Sequence, residues 1–169
     1  MTPIHIIGHA GCGKTKLMVD LIQEMVKRDI KVGSLKHTAH AHELDKPGKD
    51  SFRHRKAGAV PASMLTRSMA AIYFPASAQL TPEKLLEKFY SDVDIVLIEG
   101  WISGPFDKVE IWQKHIKRKP LFSSVEHVKA LVSDNDIPPE NMATAKAKQI
   151  HTFKRHGLSL LADFIAALI

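Results

Sequence analysis

Pro3-Ile4-His5-Ile6-Ile7-Gly8-His9-Ala10-Gly11-Cys12-Gly13-Lys14-Thr15-Lys16 opens the chain with an apolar run, a glycine-rich turn and a lysine–threonine pair. Residues 8–15 satisfy G-x-x-x-x-G-K-[ST], the pattern of a phosphate-binding loop. Each fixed position has a physical reason. Gly8, Gly11 and Gly13 allow the backbone to turn its N–H groups inward and let a phosphate chain approach closely. His9, Ala10 and Cys12 fill variable positions and contribute backbone amides. Lys14 reaches the β- and γ-phosphate oxygens, the Thr15 hydroxyl suits Mg²⁺, and the helix entered through Lys14-Thr15-Lys16 adds the positive end of its dipole. The context agrees with the motif. Residues 3–7 read as a strand, and residues 14–29 read as an amphipathic helix with Met18, Leu21, Ile22, Met25 and Val26 on one face.

Farther out, apolar runs alternate with helical patterns. Residues 30–35, 60–65, 70–74, 93–98, 108–112 and 127–132 read as strands. Asp50 is placed to cap a short helix through Ala57, Thr81-Pro82 starts another that runs to about Tyr90, and residues 157–169 close the chain as a helix. Leu158, Leu161, Ile165 and Leu168 form the buried face of that last helix. The alternation predicts an α/β P-loop NTPase sandwich: a largely parallel central sheet flanked by helices, with residues 1–169 as one domain. Ligands in such sheets gather at the carboxyl ends of the strands. That rule selects Glu99, at the end of the most apolar strand, as the acid that organises metal and water, and leaves Asp94 at the far end. Gly100 lets the chain turn away from the site.

The chain has 169 residues, a net charge of +6 and 44% hydrophobic residues. These values exclude a disordered tail, and the single Cys12 excludes an internal disulfide framework. No apolar run reaches a membrane span, and Met1-Thr2-Pro3-Ile4 lacks a signal-peptide layout, so a soluble cytoplasmic protein is expected. Residues 27–67 hold ten Lys/Arg against four Asp/Glu, so this segment carries the whole charge excess. Lys36-His37 lies there at the end of the second strand, followed by a polar, histidine-rich loop. Phe52 is its only aromatic residue, too few for the stacking that single-strand nucleic-acid binders use. His37, His40, His42 and His54 lack the spacing of a metal site. The basic run between Gln113 and Lys119 reads as a variable hairpin.

Four stretches together resemble a known family. Gly8–Thr15, Val32-Gly33-Ser34-Leu35-Lys36-His37, Asp45-Lys46-Pro47-Gly48-Lys49-Asp50-Ser51 with Arg55-Lys56-Ala57-Gly58-Ala59, and Ile95-Val96-Leu97-Ile98-Glu99-Gly100 are similar to the molybdopterin-guanine dinucleotide biosynthesis protein B family, MobB. The Asp-Lys-Pro-Gly-Lys-Asp-Ser run is far more discriminating than the P-loop. The resemblance implies a homodimer that binds GTP with Mg²⁺, hydrolyses it weakly, and assists the molybdenum cofactor guanylyltransferase; molybdopterin itself is a candidate ligand. It further implies that Gly11, Gly13, Lys14 and Thr15 hold phosphates and Mg²⁺, that Glu99 is the acid of the site, and that Lys36, His37, Asp45, Lys49, Asp50, Ser51 and Arg55 form the family's loop. The family often carries an aromatic–Lys pair after Glu-Gly, whereas Trp101-Ile102 stand here.

The residues leave the base unread, because no Asn-Lys-x-Asp signature is present. Asp134 follows a strand, where its carboxylate can accept from a guanine edge or cap a loop. Two other classes share the P-loop. A small-molecule kinase would use the basic segment for an acceptor anion, and a nucleic-acid-stimulated NTPase would use it for phosphates of a polymer.

Overall fold

In the computed structural model of the chain, residues 1–75 and 80–169 are described. The elements follow in order β1 (Thr2–Ile7), α1 (Lys14–Val26), β2 (Val32–Lys36), α2 (Asp50–Lys56), β3 (Ala62–Leu65), β4 (Ala70–Tyr73), α3 (Pro82–Phe89), β5 (Ile95–Glu99), β6 (Lys108–Ile111), β7 (Val128–Val132), α4 (Pro139–Ala147), β8 (His151–Phe153) and α5 (Leu158–Ala166). They pack as two compact units, one of residues 1–38 and 86–169, the other of residues 39–85.

The larger unit holds a six-stranded sheet in the order β2-β5-β1-β6-β7-β8, with every neighbouring pair parallel. Strands in a sheet covered on both faces read as continuous apolar runs, and all five residues of β5 are buried. Alternation along the strands then assigns the two faces. Ile4, Ile6, Ile95 and Leu97 join Leu17, Leu21 and Met25 of α1 and Leu161 and Ile165 of α5 in one cluster. Val96 and Ile98 pack with Leu86 of α3, and Ile7 and Leu131 pack with Phe122 and Ala145 of α4, on the opposite face. Each fully buried Leu or Ile in these clusters contributes about 1.5–3 kcal/mol.

Several boundaries differ from the sequence reading. Helix α1 ends at Val26, whose side chain is exposed, and Leu17 takes the buried place instead. Asp50 is the first residue of α2 and not its cap; Lys49 precedes it in extended backbone. Thr81 does cap α3, accepting the Lys84 amide at 3.4 Å. The run after Gln113 is not a hairpin: short 3₁₀ turns cover Lys114–Ile116 and Leu121–Ser123. Helix α4 and strand β8 are additional elements. The sequence of α4 has almost no amphipathic bias, and Ala145 is its one buried residue.

The smaller unit contains α2 and a two-stranded antiparallel sheet, β3–β4, separate from the central sheet. Met64, Leu65 and Ile72 of that ribbon are exposed.

Candidate nucleotide site

Strand β1 ends at Ile7, and the loop of residues 8–13 delivers the chain to α1. Gly8, Gly11 and Gly13 all have positive φ, at 146°, 77° and 92°. A β-carbon on Gly8 would stand 2.3 Å from the Ile111 carbonyl oxygen, so the loop's first position admits only glycine. Gly13 caps α1 without a side-chain hydrogen bond, and the first turn contains no acid. The first amide groups of the helix are therefore left for an anion.

The lysine and threonine are already organised. Lys14 Nζ donates to the Gly8 carbonyl at 2.9 Å and to the His9 carbonyl at 2.8 Å, so the ammonium lies along the loop. The Thr15 hydroxyl lies 3.1 Å from both carboxylate oxygens of Glu99. Glu99 is 7% exposed and forms an ion pair with Lys36 Nζ. Register explains the meeting: Ile6 of β1 and Lys36 of β2 both pair with Glu99 of β5. At the other end of β5, Asp94 accepts the Lys31 amide at 2.8 Å, away from the loop.

Glu99 is followed by a sharp turn. Gly100 has φ of 87°, and a β-carbon there would meet the His37 carbonyl oxygen at 2.6 Å. The His37 amide donates to the Glu99 carbonyl at 3.0 Å, and its ring lies 5.6 Å from Trp101. Trp101 and Phe106 in turn enclose His5, at 5.2 and 5.5 Å between ring centroids. His5 is fully buried, and neither ring nitrogen has a hydrogen-bond partner among the described residues. Burial, aided by the Lys108 charge and His37, pushes its pKa down to about 4, so it is a neutral packing residue. Lys108, 2% exposed, donates to the Gly104 and Phe106 carbonyls at 2.7 and 3.0 Å, which fixes the turn after Glu99.

Cys12 is buried, and burial raises its thiol pKa, so it is inert filling beside Lys14. Lys16 is exposed on the first turn of α1, and Ala10 is exposed in the loop. The His9 ring nitrogen Nε2 lies 2.9 Å from the Lys119 carbonyl. Asp134 is exposed at the end of β7, 3.3 Å from the Gln113 amide nitrogen that donates to it. Beside it, Ser133, Asn135, Ile137, Met142 and Phe153 line a cavity of about 220 Å³.

Arg155 was not legible as a site residue. Its guanidinium donates to the Gly13 carbonyl at 3.3 Å and to Asp20 at 3.2 Å, tying the chain after β8 to the start of α1. The two partners lie 142 and 135 positions away, so no local pattern announces the contact.

In the smaller unit, Asp45, Ser51 and Arg55 are joined to one another. Asp45 accepts from the Ser51 hydroxyl at 3.1 Å, the Lys46 amide at 2.8 Å and Arg55 Nε at 3.4 Å. Desolvation opposes its ionisation, but these donors hold the Asp45 carboxyl below the usual range. Arg55 also pairs with Glu43. Lys49 and Asp50 are exposed at the start of α2. His40 and His42 lie 6.3 Å apart, and no group of three metal-ligating side chains occurs among the described residues.

A parallel sheet with a glycine-cradled lysine after β1 and a carboxylate at the end of the adjacent strand defines a P-loop NTPase fold. The family model for molybdopterin guanine dinucleotide synthesis protein B, MobB, matches residues 4–134, and the chain belongs to that family. The molybdopterin-guanine dinucleotide biosynthesis adapter protein of Escherichia coli is 33% identical over 129 residues, 74% of each chain. The Haemophilus influenzae protein of the same name is 32% identical over 130 residues, 76% of this chain and 72% of its own. A crystal structure of molybdopterin-guanine biosynthesis protein B superposes with a TM-score of 0.75 at 20% identity, over 99% of both chains. No helix among the described residues is long and apolar enough to cross a membrane.

Proposed function

We propose that this protein is a GTP-binding adapter in molybdopterin guanine dinucleotide biosynthesis. The observation that carries the reading is the Lys36–Glu99–Thr15 array beside the Lys14 loop. Glu99 and Thr15 supply hard oxygen donors, the chemistry that suits Mg²⁺, while the loop supplies amides and an ammonium for phosphates. Thr15 and Glu99 would hold the ion, which when bound neutralises phosphate charge. Lys14 leaves the Gly8 and His9 carbonyls for phosphate oxygens. Glu99, held in place by Lys36, orients water. Gly100 and His37 shape the turn that fixes Glu99. Asp134, exposed at the end of β7, is the candidate acceptor for the guanine edge.

The adapter role follows from the relatives' names, and the partner we assign is the guanylyltransferase that joins a guanylyl group to molybdopterin. Asp45, Lys49, Asp50, Ser51 and Arg55 belong to this function as the family's loop, with Asp45 shaping it and Lys49 presented outward. A homodimer is supported by the exposed apolar side chains of the β3–β4 ribbon, since a two-stranded ribbon alone is marginally stable in water.

Isothermal titration with GTP and ATP in Mg²⁺ tests the reading. GTP should bind in preference, and Lys14→Ala should abolish binding. A clear preference for ATP would sink the guanine assignment. Release of free phosphate, with no phosphorylated acceptor, separates this function from that of a kinase.

A further inference from the structure

The chain leaves β6 at Ile111, next to the phosphate loop, and residues 113–124 run on as an irregular strap. Its backbone is anchored along its length. The Lys114 amide donates to Asn135 Oδ1 at 2.9 Å, and the Trp112 indole N–H donates to the Arg118 carbonyl at 2.7 Å. The Lys119 carbonyl lies 2.9 Å from the His9 ring, inside the P-loop motif. The Glu110 carboxylate accepts the Leu121 and Phe122 amides at 2.6 and 2.9 Å, and Lys148 Nζ donates to the Phe122 carbonyl at 2.8 Å. Ile116 Cδ1 comes within 3.7 Å of where a β-carbon on Gly11 would stand, so the strap rides against the loop itself.

These contacts use main-chain atoms and the apolar Ile116. The charged side chains are left over. Lys114, Lys117, Arg118 and Lys119 are all exposed, and none has a carboxylate partner among the described residues. Two acids that touch the strap are engaged elsewhere: Glu110 is turned inward to the strap amides, and Asp134 receives the Gln113 side-chain amide. Lys117 is held at φ of 54°, a left-handed conformation that costs a non-glycine residue about 1 kcal/mol. Four like charges on a pinned backbone repel each other. That cost is offset when an anion binds, and a preorganised receptor loses little entropy on doing so. An interface with a protein normally needs about 800 Å² on each side, far more than six residues offer, whereas a phosphoryl group matches two or three such cations.

We infer that residues 114–119 form a phosphate-binding strap beside the P-loop, in which Lys114, Lys117, Arg118 and Lys119 hold a phosphoryl group of a metabolite. The group is either the terminal phosphate of the nucleotide on the P-loop or that of a separate phosphate monoester. The first source rests on the nucleotide reading; the second does not.

The test is the quadruple variant Lys114→Gln, Lys117→Gln, Arg118→Gln, Lys119→Gln, which leaves the backbone anchors untouched, with circular dichroism and melting to verify folding. Titrations use GTP and GMP at low and high salt, then inorganic pyrophosphate into GTP-loaded and nucleotide-free protein. A loss of about tenfold or more for GTP, with GMP little changed and a shallower salt dependence, identifies the nucleotide's own phosphates. Unchanged GTP binding with lost pyrophosphate binding to the loaded protein identifies a separate monoester. If wild type binds no nucleotide, the nucleotide reading fails. The strap still stands if pyrophosphate binds wild type and Lys14→Ala but not the quadruple variant. Anion binding unaffected by the four substitutions overturns the proposal and leaves an acidic protein or nucleic-acid surface for the strap.

Discussion

Two fully buried ionisable side chains, His5 and Glu110, have opposite effects on stability. Burial raises the Glu110 pKa to about 7 despite its two amide donors, and burial lowers that of His5 to about 4. In the fold Glu110 prefers its neutral form, so its contribution is complete below its ordinary carboxylate pKa and is lost as pH rises to about 7. His5 also prefers its neutral form, so its contribution is complete above the ordinary imidazole pKa and is lost as pH falls toward about 4. Between these limits the two slopes oppose each other. Glu110→Gln should therefore leave a stability that rises with pH across the acidic range, and His5→Phe one that falls. Urea unfolding of both variants across that range checks the signs; parallel slopes in the two variants would contradict the assignment. Gly8 offers a sharper single-site case. Gly8→Ala forces a β-carbon against the Ile111 carbonyl at a positive φ, which should cost about 1–3 kcal/mol and abolish nucleotide binding. Calorimetric melting and a GTP titration read the two effects separately.

Among the elements, β1, α1 and β5 carry the candidate site, and they are also the elements that sequence patterns locate well. A strand buried on both faces has to be apolar throughout, and an amphipathic helix after a glycine turn has few alternatives. The ribbon β3–β4 is different. Its strands read correctly as strands, but among the described residues they pair only with each other and expose Leu65 and Ile72 on one face and Met64 on the other. Exposed apolar side chains on a short ribbon favour a second copy as cover. Leu65→Asp with Ile72→Asp should convert the proposed dimer to a monomer in light scattering while the melting of the larger unit changes little. A monomeric wild type would refute the dimer.

For the whole molecule, the charge excess of +6 belongs to residues 27–67 in sequence, but space distributes its use. Lys36 neutralises Glu99, Arg55 braces Asp45 and Glu43, and Arg28 pairs with Glu24 and Asp163. The four exposed cations of the strap, without a carboxylate partner among the described residues, lie outside that segment. Local chemistry determined the phosphate loop, the strand that ends in Glu99 and the parallel sandwich, because glycine turns, apolar runs and helix starts are properties of neighbouring residues. Tertiary structure alone decided that Lys36 and Thr15 meet on one carboxylate, that Arg155 reaches Gly13, and that the basic run after Gln113 rests on the P-loop. Those contacts join residues far apart in the chain, and their geometry comes from strand register and packing, which no single segment encodes.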